Sequence, residues 1–213
     1  VKKLLPITLC VEGRRAVVVG GGEVGARKVR SLAQCGASVL WITGGSSPPA
    51  GPGVSVLSRR YQPSDVAGAA LVFACTDDAA VNTRIAADAR KAGALVNAVD
   101  QPKDCDFYMP AVVQDGDVLL AISTGAQAPA LAKALKALLA AALPEGVGDF
   151  AGALATLRDE LRQASAQPQV RTEVAKALAR LENLPAFRQG GIEALRSIMS
   201  RLLETAGKGD SPQ

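Results

Sequence analysis

Over the first hundred positions the apolar residues fall in short continuous runs rather than in strict alternation. Arg15-Ala16-Val17-Val18-Val19-Gly20, Ser38-Val39-Leu40-Trp41-Ile42, Ala70-Leu71-Val72-Phe73-Ala74-Cys75 and Ala94-Leu95-Val96-Asn97-Ala98-Val99 read as buried strands, with Val54-Ser55-Val56-Leu57 a shorter one. Glu23 to Cys35 and Ala79 to Ala92 carry helical periodicity, and Gly36 is a natural stop for the first. A Gly/Ser/Pro-rich loop runs from Gly44 to Gly53. Strands apolar on both faces and separated by helices predict a parallel sheet covered on both sides. The expectation is a Rossmann-type doubly wound α/β domain over residues 1–113.

The pattern then changes. Asp117 to Ser123 reads as a strand entered by the turn Asp115-Gly116, and an Ala/Leu/Lys-rich helix follows from Gln127 to Leu143 with Pro129 in its first turn. Apolar residues occupy most of that helix's circumference, which an oligomer interface or packing within the monomer would bury. Residues 114–146 are the segment that would carry such an interface, as a dimerisation segment. A small all-helical C-terminal domain is expected over 147–206, broken near Gln167-Pro168, Leu184-Pro185 and Gln189-Gly190-Gly191. The polar stretch 207–213 reads as a disordered tail.

Composition narrows the chemistry. The 213 residues include no histidine, which excludes a Ser-His-Asp triad, a Cys-His pair, a His-ligated metal and a His proton shuttle. Net charge is +4 and aromatics are 3%, too few for stacking platforms, so no nucleic-acid partner is expected. No apolar run reaches about 20 residues and no leader follows the N-terminal lysines, so neither a membrane span nor a signal peptide is expected. The four cysteines, Cys10, Cys35, Cys75 and Cys105, form no CxxC. They read as reduced, mostly buried thiols of a cytoplasmic protein, with no metal site. Residues 1–45 carry seven Lys/Arg against two acids, and residues 99–117 five Asp against one Lys. The first segment suits an anionic ligand; the second would repel one, or handle protons or metal, and solvated surface is the alternative for both.

Gly20-Gly21-Gly22-Glu23-Val24-Gly25 fits G-x-G-x-x-G directly after a strand and at the start of a helix. Gly20 would allow the tight turn, Gly22 the approach of a pyrophosphate, and Gly25 close helix–strand packing. The acid usual about 20 residues on is missing, since no Asp or Glu stands between Glu23 and Asp65. Ribose hydroxyls would then be met by the Thr43 hydroxyl or the backbone of Gly44-Gly45. No arginine stands at that strand end for a 2′-phosphate, which points to NAD rather than NADP. After the next strand come Thr76-Asp77-Asp78 and Asn82. Asp78 reads as the N-cap of the helix at 79–92, and Thr76 as a neighbour of cofactor or substrate. Asp100 lies just past a buried strand at the mouth of the crevice. There it is either a general base among low-polarity neighbours or a turn-former before Gln101-Pro102. A short-chain reductase is disfavoured because Asp65 and Val112, not lysines, stand four residues after Tyr61 and Tyr108.

These motifs occur in order with Leu5-Pro6-Ile7, Arg27-Lys28, Asn97-x-x-Asp100-x-Pro102, Phe107-x-x-Pro110-Ala111 and Ser123-Thr124-Gly125-x-x-x-Pro129-x-Leu131-Ala132. Together they resemble the siroheme synthase N-terminal module, the precorrin-2 dehydrogenase / sirohydrochlorin ferrochelatase family. The resemblance implies oxidation of precorrin-2 to sirohydrochlorin with NAD+, Fe2+ insertion in many members, and an interlocked homodimer. It implies that Asp100 assists proton removal in both steps, and that Asn97 and the Ser123-Thr124-Gly125 turn meet the tetrapyrrole. The mild basic excess suits so anionic a substrate. Ala128 departs from the serine many relatives carry before the proline, and the methyltransferase domain often fused to the module is absent before Gln213, which reads as a stand-alone form. The alternatives are dehydrogenation without chelation, or a non-catalytic NAD(H)-sensing module.

Overall fold

A computed structural model describes residues 3–46 and 48–208. They form two compact units, one of the residues up to Met109 with Gly125–Gln127, the other of Pro110–Thr124 with the residues from Ala128 onward.

The first unit is built on five parallel strands: β1 (Arg15–Val19), β2 (Ser38–Ile42), β3 (Val54–Leu57), β4 (Leu71–Ala74) and β5 (Leu95–Ala98). Their order is β3-β2-β1-β4-β5. The order reverses between β1 and β4, so the crevice at their carboxyl ends is the switch point where such sheets bind ligands. Helix α1 (Glu23–Gln34) joins β1 to β2, and α2 (Ala79–Lys91) joins β4 to β5. Because strand side chains alternate, β1 feeds two cores. Val18 packs with Val29 and Leu32 of α1, Trp41 and Phe73 on one face. Val17 and Val19 pack with Ile85, Ala86 and Ala89 of α2 on the other. A 3-10 turn, Pro63–Val66, supplies Val66 to that second face, where sequence periodicity gave no helix.

The second unit opens with an antiparallel hairpin, β6 (Ala111–Asp115) and β7 (Val118–Ile122). Only β7 was expected. Helices α3 (Pro129–Ala142), α4 (Val147–Ala164), α5 (Pro168–Leu178) and α6 (Leu184–Lys208) follow, α6 being broken at Gly191. The breaks fall where Pro168, Pro185 and the glycine pair predict them. Phe150, Leu157, Leu161, Leu178 and Leu195 are the heart of this unit's core. Gly148 admits the hairpin turn against α4: a Cβ there would overlap the Asp115 carbonyl oxygen, and its N–H donates to Asp115 Oδ2 at 3.0 Å.

Two expectations change. Helix α6 continues through Lys208, so the expected tail loses its first two residues; residues 209–213 lie outside the described ones. No disulfide joins the four cysteines, but only Cys75 and Cys105 are buried, while Cys10 and Cys35 are exposed. No single helix among the described residues is long and apolar enough to cross a membrane.

Candidate active site

The glycine turn sits where β1 ends beside β4. Gly20 has φ +129°, and a Cβ there would overlap the Cys75 carbonyl at the end of β4. No other residue fits. A Cβ on Gly25 would overlap the Gly20 carbonyl, so α1 lies directly on the turn. Gly22 is different: nothing lies within 4 Å of a Cβ built on it. It is the N-cap of α1, and no side chain caps that end. The positive end of the helix dipole thus has no side-chain cap and open space at Gly22 beside it, the arrangement that receives a phosphate. Glu23 is exposed at that end and pairs with Arg30 at 3.1 Å; Val24 is half-buried and packs against the α1-side core.

Two further groups shape the turn. The Trp41 indole N–H donates to the Gly20 carbonyl at 2.8 Å, in a buried bond that fixes the turn from β2. A Cβ on Gly21 would stand 2.6 Å from Ser46 Oγ and 2.7 Å from the Thr43 carbonyl. Gly21 is therefore needed for the approach of the loop after β2. Neither role has a sequence signal beyond the motif itself.

Thr43 is buried, and its hydroxyl donates to the Ser46 carbonyl, closing that loop rather than facing outward. Gly44 (φ +73°) and Gly45 (φ +135°) are exposed beyond it. Because β3 lies next to β2, the backbone of Arg59 stands beside this strand end. The Gly44 N–H donates to the Arg59 carbonyl at 3.1 Å. Its guanidinium is committed to Asp65, at 2.6 and 2.9 Å to the two oxygens. That bond, ahead of the opposing cost of burial, holds the Asp65 carboxyl below the usual range.

At the end of β4, Thr76 is tied to Asn82. The Thr76 N–H and hydroxyl both donate to Asn82 Oδ1, at 3.1 and 2.7 Å, and Asn82 Nδ2 donates to the Thr76 carbonyl at 2.9 Å. Asp78 caps α2, accepting from the N–H groups of Ala80 and Val81. Beneath this end, burial pushes the Cys75 thiol up to about 11, so it stays protonated. Burial also lowers the ammonium of Lys28, whose Nζ lies 5.7 Å from the centre of the Phe73 ring.

Asp100 follows β5 on the same carboxyl edge of the sheet. It is exposed rather than set among low-polarity neighbours, and it adopts the left-handed conformation, φ +58°. Aspartate tolerates that region better than most residues, and such positions cluster at working sites. The loop that carries it is strapped from within. Buried Cys105 accepts from the Ala98 N–H at 3.3 Å and lies 3.1 Å from the Ala98 carbonyl. Gln101 Nε2 donates to the Ala79 carbonyl at 2.9 Å. Asn97, expected at the substrate, is buried, and its amide donates to the Phe107 carbonyl at 2.9 Å. In this unit Asn97 is a holder of the loop.

Gly20, Gly22, Gly25, Thr43, Gly44, Gly45, Thr76 and Asp100 are therefore gathered at one edge of one sheet. Ser123 and Thr124 belong to the other unit, whereas Gly125 (φ +61°) belongs to the first. Thr124 Oγ1 accepts from the Ala128 N–H at 3.3 Å, at the start of α3. Among the described residues no three of His, Cys, Asp and Glu are grouped to hold a metal ion.

Residues 7–111 match a family model described as NAD(P)-binding. A siroheme synthase of Pseudomonas entomophila is 39% identical over 163 residues, covering 74% of this chain and 35% of its own length. A siroheme synthase of Methylococcus capsulatus is 37% identical over 172 residues, 78% of this chain and 36% of its own. The chain thus spans about a third of the length of the curated relatives it matches. Among solved structures, SirC, a precorrin-2 dehydrogenase, superposes with a TM-score of 0.72 at 21% identity, covering 94% of this chain and all of that one, a likeness of fold.

Proposed function

We propose that this chain is a member of the siroheme synthase N-terminal module family and oxidises precorrin-2 to sirohydrochlorin with NAD+. One observation carries the reading. The uncapped N-terminus of α1 and the strained Asp100 turn share one sheet edge, separated by β4 alone. Strand spacing sets them roughly 10 Å apart, within the span of a dinucleotide.

Gly22 and the first turn of α1 hold the pyrophosphate, and Gly44 and Gly45 approach the ribose. NAD rather than NADP follows from Arg59, whose guanidinium Asp65 already occupies. NAD+ held there accepts the hydride. The proton that leaves with it goes to the Asp100 carboxylate, held in place by Cys105 and Gln101. The Ser123-Thr124-Gly125 turn contributes to substrate binding. Where Fe2+ is a second substrate, insertion strips protons from pyrrole nitrogens, and Asp100 takes the same part. The protein works as a cytoplasmic homodimer through residues 114–146. This is supported by α3, where Leu131 and Leu138 are 53% and 66% exposed in a helix whose one buried residue is Ala132.

The test mixes protein, precorrin-2 and NAD+ and follows NADH and sirohydrochlorin absorbance. NADH formation is expected, with Asp100→Asn slower by roughly a hundredfold or more. NAD+ binding without turnover would leave the sensing module instead. Adding Fe2+ to sirohydrochlorin in a second cuvette decides chelation.

A further inference from the structure

In the helical unit, α4 and α5 leave an open cleft of about 570 Å³, the size at which proteins hold small organic ligands. Its floor is apolar: Leu154, Pro168 and Ala175 present surface to it, above the buried Leu157, Leu161 and Leu178. Its rim is cationic. Arg158 and Arg162 project from α4, one helical turn apart, and Arg171 and Lys176 from α5. None of the described residues lining it is acidic. Asp159 pairs with Arg162 at 2.9 Å on the exposed side. Arg171 is anchored, its guanidinium donating to the Ser165 and Ala166 carbonyls at 3.0 and 3.2 Å.

An apolar floor under four cations matches one ligand chemistry. We propose that the α4–α5 cleft is a second binding site, for an amphipathic polycarboxylate. Its flat apolar body would lie on Leu154, Pro168 and Ala175, and its carboxylates would reach the arginines and Lys176. The ligand is a tetrapyrrole polycarboxylate held apart from the catalytic centre; that identification, unlike the chemical class, rests on the activity proposed above. A second copy of the chain suits the cleft poorly. A two-fold interface would set this patch against itself and bring like charges together.

The test uses the full chain, 15N-labelled, titrated with uroporphyrin, a stable planar octacarboxylate. Saturable shifts are expected in the amides of residues 154–179. The triple variant Arg158→Gln, Arg171→Gln, Lys176→Gln should bind about tenfold more weakly or worse. Raising the salt from about 50 to 500 mM should weaken wild-type binding several-fold. NADH formation from precorrin-2 should stay within about twofold in the triple variant, since none of the three residues is in the catalytic machinery. If the triple variant fails to fold, the single exposed Lys176→Gln carries the test, with about a threefold loss. Absence of α4–α5 shifts at millimolar uroporphyrin, or unchanged affinity in the variants, overturns the site. So does a folded triple variant that sediments with fewer subunits than wild type, which would assign the face to a second copy. Failure of the dehydrogenase reading shows separately, as absence of NADH with wild-type protein, and leaves the α4–α5 shifts untouched.

Discussion

Asp100 combines two properties that a turn alone does not require. It takes a left-handed backbone that costs a non-glycine residue about 1 kcal/mol, and the residues behind it are bonded so as to hold it there. Cys105 is the centre of that strap, with contacts to Ala98 and to the Gln101 carbonyl. Cys105→Val should lower kcat about three- to tenfold while leaving the KM for NAD+ unchanged, because the glycine turn is untouched. Cys105→Ser, which keeps a donor and an acceptor, should recover most of the loss. Steady-state kinetics on both variants checks this, and equal losses in kcat and NAD+ affinity would remove the positioning role. At this scale the sequence was legible where a motif forces a residue: Gly20 and Gly25 are required by overlap with backbone carbonyls. It was not legible for Asn97 or Thr43. Asn97 turns inward to the Phe107 carbonyl and Thr43 to the Ser46 carbonyl, and no residue pattern distinguishes such an inward bond from a contact to ligand.

Among the elements, β3 explains what the motif scan missed. Read along the chain, Arg59 follows a short strand far from Thr43. In the sheet the two strand ends touch, and the Arg59 backbone reaches the end of β2 while its guanidinium is held by Asp65. The 3-10 turn after it is held by Asp65, which accepts from the Arg59 guanidinium and from the Gln62 N–H at 2.8 Å. Asp65→Asn should therefore cost roughly 1–3 kcal/mol of stability, the lower end being expected because Arg59 is 37% exposed. The sign with pH follows from the lowered carboxyl of the folded state. Its contribution is full above the ordinary carboxylate range and is lost as the pH falls through the folded-state value. Urea unfolding of wild type and variant from neutral to strongly acid pH should show the gap closing toward acid. A constant gap would mean packing, not charge, is the cause. Strand β6 went unseen for a related reason. Only Ala111-Val112-Val113 of Ala111–Asp115 is apolar, and its partner lies across a two-residue turn led by Gly116 (φ +50°).

For the molecule as a whole, the apolar surface of α3 asks for a partner. Helix α3 packs on β6 and β7, yet leaves Leu131 and Leu138 in the open. The sequence showed an apolar circumference but could not say which part the chain itself covers. Covering Leu138 in a dimer would contribute about 1.5–3 kcal/mol from each subunit. Leu138→Glu should shift the protein to a monomer in sedimentation velocity at micromolar concentration. The melting of each folded subunit should change little, as an exposed substitution typically costs about 0.5 kcal/mol or less. Unchanged sedimentation would remove α3 from the interface.

The bond from Trp41 to the Gly20 carbonyl also bears on how this protein can be watched. Trp41 is the one tryptophan in the sequence, and its indole lies beside the turn that receives the dinucleotide. Ultraviolet emission from the chain is therefore local by construction. Its colour and lifetime are set at a single point, and a reduced nicotinamide nearby is a natural acceptor for its excitation energy. Occupancy of the crevice can be followed optically without a label or an added chromophore.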